Sequence, residues 1–475
     1  MKAMRTTALL AALLLAMTGV LSGCGDSGTS TTSGGTGSSP AGDSSGTGEG
    51  SEPAKPSYLD EKHDFEGKTI TFENLFVGEA DDYPGYFKEG GEHEGYIEEV
   101  ETKYNCDIKF VAGIGIDDLI GQILSGQANR TILYKQPWDF YPLAQGGYLT
   151  KLNGVLDDDY WDNLPGFMSA VTKAHTYNGD IYGFGTGYDS YHVMAALGYN
   201  RSMIERNNLE DPMDLYKNGE WTWEKFTELS KAVTKDTNND GQTDQWGITM
   251  SHAGFLGYFF MSNGVSPVVQ DASGKYISGW KNNPAATNAL NQLYSWMMED
   301  KIFAPNQVAN EVATFADNKS TLFFFTAIYQ FQGFPDRMTD EYGVVPYPVG
   351  PDVEDKTKNI MPTVVTMSFM LPKNAENPRG LVAVADSLYR SEDYAARFER
   401  YASSLTVDRD SYEAMLTGFN NMKPEYVGAY QTFVHAYLQE MFNGIANDGL
   451  SATAAFEMME PMIQETLDNT LNVVQ

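Results

Sequence analysis

The chain has 475 residues, with 64 acidic against 32 basic side chains and a net charge of −32 at pH 7. Such a surface repels nucleic acid and anionic lipid, which removes both as partners of the folded body. The length suits two lobes better than one modest core, and once Cys24 is used for acylation Cys106 is the only thiol left, which excludes an intrachain disulfide.

Lys2 and Arg5 precede the apolar run ALLAALLLAMTGV (8–20), which is too short for a comfortable membrane span and reads as a secretory signal. It leads into LSGC (21–24), which resembles a bacterial lipobox. Residues 1–23 are therefore predicted to be a lipoprotein signal peptide, with Cys24 the lipidated residue, because several acyl chains on one cysteine give a stable anchor. Residues 24–57 are mostly Gly, Ser and Thr, a composition that cannot bury surface and predicts a disordered tether with a reach of about 30 Å. The protein is expected at the extracellular face of the cell membrane, meeting the lipid bilayer through Cys24 alone.

The body opens with KTITFENLF (68–76), whose alternation of β-branched and aromatic residues predicts a strand. EGYIEEVETKYN (94–105) has helical spacing, CDIKFVAG (106–113) reads as a second strand with Cys106 as core filling, and IDDLIGQILSGQ (116–127) as a second helix. RTILY (130–134) is a third strand, and a short helix after it ends at Gly146 and Gly147. Strands alternating with helices predict a mostly parallel α/β sheet. No glycine-rich phosphate loop is present. Farther on, an apolar strand ends at Tyr199 and Asn200, and WTWEKFTELSKAVT (221–234) is a helix with Thr222 as N-cap. WGITM (246–250), STLFFFT (320–326) and YGVVPYPVGP (342–351) read as strand segments. Two amphipathic helices begin at Asn-Pro, over 283–303 and 377–391. A C-terminal helix (452–471) contains Pro461, expected to kink or break it.

Between the Thr222 helix and the WGITM strand lies TKDTNNDGQTDQWG (234–247). Asp236, Asn238, Asp240, the Gln242 carbonyl and Asp244 occupy the oxygen-ligand positions of a calcium loop around Gly241. The twelfth position, which in an EF-hand carries a bidentate Glu, is Gly247. The expectation is a low-affinity structural Ca2+ site that staples a helix to a strand, with a solvated polar turn as the alternative.

Taken in order, the lipobox, SGQAN, LAQGGYL, NGDIYGFG, GYN, GEWTWEKF, DTNNDGQTDQWG, FADNKSTLFFF, GVVPYPVGP and LPKNAENP span nearly all of the mature chain. Together they make it resemble the extracellular solute-binding proteins of carbohydrate ABC importers, the class that includes maltodextrin-binding protein. The resemblance implies a two-lobed periplasmic-binding-protein-like α/β fold of class II type, with hinge segments and a ligand cleft between the lobes. The N-lobe would comprise 58–190 and 361–405, and the C-lobe 191–360 and 406–475. Gly183, Gly185 and Gly187 suit the first hinge, since glycine tolerates the backbone changes of closure. A carbohydrate ligand, the transmembrane subunits of an ABC permease and a monomeric state are implied as well.

Sugar binding calls for aromatic planes against C–H faces and planar polar groups for hydroxyls. Candidates are Glu79 and Asp81 after the first strand, Lys135 and Trp138 after the third, Tyr188, Asp189 and Tyr191 at the first hinge, and Tyr258 and Tyr329 from the C-lobe. For a single ring, core packing remains the alternative, and Trp221 and Trp223 are read as packing their helix. The six histidines are scattered, and no HExxH or GxSxG motif is present, so the chain is not read as an enzyme. The alternatives are a surface glycan adhesin and a lipoprotein glycoside hydrolase.

Overall fold

The structure, a computed structural model, describes residues 58–74, 85–162, 164–185, 193–250, 253–304, 311–317, 319–363, 367–390, 393–424 and 431–472. The leader, Cys24 and the tether lie outside these. The chain divides into two units at Glu61 and Lys62. The described part of the first includes one 3-10 turn, Tyr58–Asp60.

The second unit is a mixed α/β body. In chain order its principal strands are β1 (Lys68–Asn74), β2 (Cys106–Ala112), β3 (Thr131–Lys135), β4 (Ala195–Asn200), β5 (Trp246–Met250), β6 (Thr321–Ala327), β7 (Tyr342–Val345) and β8 (Ser368–Met370). They form two four-stranded sheets, ordered β8-β3-β1-β2 and β7-β4-β6-β5. In the first, β1 runs parallel to both β2 and β3, while β8 closes the edge antiparallel to β3. The alternation read in β1 has a direct consequence here. Ile70 and Phe72 are buried and in register with Ile108 and Phe110, and the Phe72 and Phe110 rings stack at 5.1 Å. Parallel pairing requires crossovers, supplied by helices α1 (Tyr96–Tyr104) and α2 (Ile116–Ser125).

In the second sheet β6 reads TLFFFTA and is buried at every residue, the pattern of a strand covered on both faces. Helix α3 (Pro137–Gln145) belongs to the first sheet's neighbourhood, and α4 (Trp223–Val233) covers the second sheet, placing Phe226 4.8 Å from Phe323. Thr222 caps α4, its hydroxyl accepting from Lys225 N–H. Trp221 and Trp223 are buried and donate their indole N–H groups to Pro346 O and Ser262 Oγ.

Both Asn-Pro starts form caps. Asn283 accepts from Ala285 N–H ahead of α5 (Pro284–Tyr294), and Asn377 from Gly380 N–H ahead of α6 (Pro378–Tyr389). Three expectations are corrected. The helix after Asn283 does not continue regularly to 303 but widens into a π turn, Ser295–Glu299, which seats Trp296 in the core with its N–H on Thr227 Oγ1. The C-terminal helix α7 (Ala452–Thr470) is not broken at Pro461, the one of the two expected outcomes that the structure overturns. Pro461 forfeits one hydrogen bond, but Met459, Ile463 and Leu467 on either side are buried and hold the helix down, while Glu457, whose carbonyl loses its donor, is exposed to water. Cys106 is half-buried, not core, and burial with nearby Glu101 and Asp107 pushes its thiol up to about 12, so it is unreactive. Among the described residues no helix is long and apolar enough to cross a membrane.

The chain passes between the sheets at defined places. Phe184 pairs antiparallel with Phe369 of β8, with N–H···O distances of 2.8 and 3.0 Å. Met194, just before β4, pairs antiparallel with Thr363, and Ala195 N donates to Pro362 O at 2.6 Å.

Candidate functional site

Open parallel sheets bind ligands beyond the C-terminal ends of their strands. At that edge of the first sheet, β1 ends in Glu73-Asn74 and β3 in Tyr134-Lys135. Glu73 lies on the opposite face of β1 from Phe72, the result of strand alternation. Its Oε1 accepts from Lys135 Nζ at 2.6 Å and from Ile114 N at 2.9 Å. The pair is almost fully enclosed, Glu73 3% and Lys135 4% exposed. Glu73 Oε2 is buried without a partner among the described residues. Asp139, in the first turn of α3, is held above the usual carboxylate range by burial and by the charge of Glu73, against the opposing pull of Lys135. Gln136 is buried beside them, its Nε2 3.7 Å from Met367 S.

This cluster adjoins the crossing. Lys135 is in register with Ser368, whose Oγ donates to Gly185 O at 2.9 Å. Gly183 and Gly185, expected to serve hinge freedom, are also required by packing. A Cβ on Gly183 would lie 2.6 Å from Ser368 Oγ and 2.7 Å from His175 Cβ, and Gly185 has φ +57 with the Phe369 ring 3.1 Å from its Cβ position.

From the second sheet, Tyr329 follows β6 directly after Ile328, whose N–H donates to Met194 O at 2.8 Å. Tyr329 is half-buried and accepts from Gln330 Nε2 at 3.2 Å. Burial holds its hydroxyl above the ordinary value, and Glu311 adds to this. Glu311 is itself held up by burial. Tyr258 is enclosed, edge-on to Tyr347, with its hydroxyl donating to Thr363 O at 3.2 Å. Its ring belongs to the core beneath the crossing, and its hydroxyl to the crossing backbone.

The fold thus brings Lys135 together with Glu73 and Asp139, and sets Tyr258 and Tyr329 beside the Met194–Thr363 pair. No hydrogen bond joins Lys135 to either tyrosine among the described residues. Trp138 lies in the first turn of α3, but its side chain, like Glu79, Asp81, Tyr188, Asp189 and Tyr191, falls outside the described residues. Reading by motif missed Glu73, Asp139 and Glu311. The available signal for Glu73 was a lone acid in an otherwise apolar alternating strand.

The 236–244 loop closes on itself between α4 and β5. Asp236 accepts from Asn238, Asn239 and Gly241 N–H groups, Asn238 from Asp240 N–H, Asp240 from Gln242 N–H, and Asp244 from Thr237 N–H and Oγ1. Those bonds to Thr237 hold the Asp244 carboxyl below the usual range. The side-chain oxygens turn onto the loop's own backbone N–H groups, with Gly241 at φ +88, and among the described residues no group of three or more acidic, histidine or cysteine side chains is placed to hold a metal ion. The absence of a twelfth-position acid also has a physical cause. A Cβ on Gly247 would sit 2.5 Å from Ser230 Cβ and 2.9 Å from Ser230 O of α4, so no larger residue fits there.

Two α/β sheets joined by short crossing pairs, with polar groups gathered at the crossing, define the two-lobed periplasmic-binding-protein type of fold. The chain belongs to the family of bacterial extracellular solute-binding proteins, which it matches over residues 95–407. Solved structures of similar fold include UspC of M. tuberculosis, 15% identical with a TM-score of 0.60 over 84% of this chain and 100% of that one. Another is the ABC substrate-binding protein Lmo0181 from Listeria monocytogenes in complex with cycloalternan, 16% identical with a TM-score of 0.56 over 84% and 99%. A third is the maltose/maltodextrin-binding domain MalE from Bdellovibrio bacteriovorus bound to maltotriose, 17% identical with a TM-score of 0.52 over 86% and 100%. At such identities the likeness concerns the fold. No curated protein sequence matches the chain.

Proposed function

We propose that the protein is a lipid-anchored substrate-binding protein of an ABC importer, which captures a carbohydrate between its lobes and delivers it to the permease. The observation that carries this reading is the position of the Glu73–Lys135–Asp139 cluster. It lies at the strand ends of the first sheet, in register with Ser368 and beside the Ser368–Gly185 bond, where the chain leaves that sheet for the second. The fold neighbours complexed with maltotriose and cycloalternan support a saccharide as the ligand class. A ligand held by one lobe gains contacts from the other only on closure, and so shifts the population toward the closed form. The closed body then offers both lobes to the permease. Cys24 supplies the anchor and residues 24–57 the tether.

The loop at 236–244 is proposed to hold Ca2+ through Asp236, Asn238, Asp240, the Gln242 carbonyl and Asp244. The ion would draw the carboxylates of Asp236, Asp240 and Asp244 together and tie α4 to β5. Without a bidentate Glu the affinity should be that of extracellular calcium modules, which suits a site outside the cell.

Small-angle scattering of the mature protein with and without a saccharide panel, run beside a product assay, tests the main reading. A smaller radius of gyration with one sugar and no turnover is expected. Identical profiles throughout would remove the closure mechanism, and product formation would replace a binding protein with a hydrolase.

A further inference from the structure

We propose that Glu73 and Lys135 act as one reading head that recognises two neighbouring hydroxyl groups of the ligand, which makes Glu73 a specificity-determining residue. This rests on the carbohydrate reading above and adds the chemistry by which the site would select.

The starting point is an incomplete account of buried polar valences. Lys135 carries three N–H donors, and among the described residues one goes to Glu73 Oε1. Glu73 Oε1 takes a second bond from Ile114 N–H, while Oε2, although buried, takes none among the described residues. Buried ionic groups normally have their hydrogen-bonding capacity filled, because each vacancy forfeits the desolvation of a charged group. Vacancies on both members of one ion pair, at the ligand-binding edge of a sheet, mark a place where an incoming group completes the network.

The chemistry of that group follows from the two signs present. An ammonium would satisfy Glu73 but face Lys135. A carboxylate or phosphate would satisfy Lys135 but face Glu73 and, beyond it, Asp139. A hydroxyl is both donor and acceptor and neutral. One hydroxyl accepting from Lys135 Nζ and its neighbour donating to Glu73 Oε2 fills both vacancies without bringing like charges together. The vacancies belong to atoms of a single 2.6 Å ion pair, so they match adjacent positions of one ring or polyol. Both side chains are buried, so in this proposal a ligand reaches them when the two lobes part, and the Ser368–Gly185 bond beside them lies where the chain leaves the first sheet. An ordered water is the rival occupant, since it too donates and accepts.

The test is calorimetric titration of the mature protein with D-glucose, D-galactose, D-mannitol and maltotriose, then with singly deoxygenated analogues of whichever binds. Glu73→Gln, which preserves shape but removes the charged acceptor, is expected to weaken binding about tenfold to a hundredfold. The analogue lacking the recognised hydroxyl should bind wild type correspondingly worse and suffer no further loss in Glu73→Gln, the signature of one shared interaction. If Glu73→Gln does not fold, the double variant Glu73→Leu/Lys135→Met replaces the ion pair by apolar groups of similar volume, a change that buried pairs often tolerate. It should fold and bind at least tenfold more weakly. Wild-type affinity in a folded variant would overturn the proposal, as would a sugar-bound crystal structure with water and no sugar oxygen on Glu73 Oε2. Failure of every saccharide to bind the wild type would sink the carbohydrate reading itself, and this inference with it.

Discussion

Met194 and Thr363 pair as antiparallel neighbours where the chain passes from one sheet to the other, and the Thr363 carbonyl also receives the Tyr258 hydroxyl at 3.2 Å. The crossing is therefore anchored in the core of the second sheet. On the first sheet the corresponding contact is Phe184 against Phe369. The closure proposed above would be accommodated between these two anchored points, and the predictions below probe the anchors and the groups around them.

Gly183→Ala puts a methyl group 2.6 Å from Ser368 Oγ and 2.7 Å from His175 Cβ. Overpacking of this kind costs about 1–3 kcal/mol. Urea unfolding should show the midpoint lowered with an unchanged slope. A midpoint equal to wild type would mean that the crossing is not packed as described.

Acid should destabilise the fold through His175. The imidazole is fully buried, and because a carbonyl can only accept, Nδ1 carries the proton donated to Val171 O at 2.7 Å. Nε2 is buried without a partner among the described residues, so protonation there would bury a charge. Burial lowers the folded-state value from 6.5 to about 4. With the folded value depressed, the unfolded chain takes up the proton first as pH falls. The contribution to stability is complete above about 6.5, shrinks toward about pH 4 and is gone below it, about 3 kcal/mol in all. Chemical denaturation across pH 7 to 4 should show this slope, and His175→Leu should reduce it without removing it, because burial also lowers His93 to about 4.

Chelation should lower the melting temperature by roughly a degree or two, the effect of losing a ligand present at about ten times its dissociation constant. Asp236→Ala, which removes an acceptor for three backbone N–H groups, should lower the melting temperature further and abolish the response to calcium. An unchanged melting curve on chelation would leave the loop a polar turn.

Truncating an aromatic candidate separates cleft from core. Tyr329→Ala and Trp138→Ala should each reduce affinity for the bound saccharide by about tenfold, the value of one stacked ring, with a smaller effect on stability. Tyr258→Phe should behave oppositely. Losing its bond to Thr363 O should cost about 1 kcal/mol of stability and leave affinity within a factor of a few.

Much of this architecture is local and could be read directly. Alternation in KTITFEN, the apolar run TLFFFTA, the Asn-Pro caps at 283 and 377 and the Thr222 cap are set by residues within a turn or two of each other. The same holds for the hydrogen bonding of the 236–244 loop, whose side chains bond to backbone groups a few positions away. Lys135 was read as a candidate from its place at the third strand, but its partner Glu73 was not legible.

The reason is topological. Glu73 and Lys135 are 62 residues apart and meet only because two parallel strands are brought side by side by intervening helices, an arrangement no short-range pattern encodes. Tyr258 looked the same in sequence as Tyr329, and only packing showed one enclosed against Tyr347 and the other half-open beside the crossing. Gly247 looked like a missing calcium ligand until the close approach of Ser230 accounted for it. Sequence alone determined where helices and strands begin, because capping and periodicity are short-range. Which polar groups face one another across the crossing was decided by tertiary structure, because burial and charge pairing depend on neighbours far away in the chain.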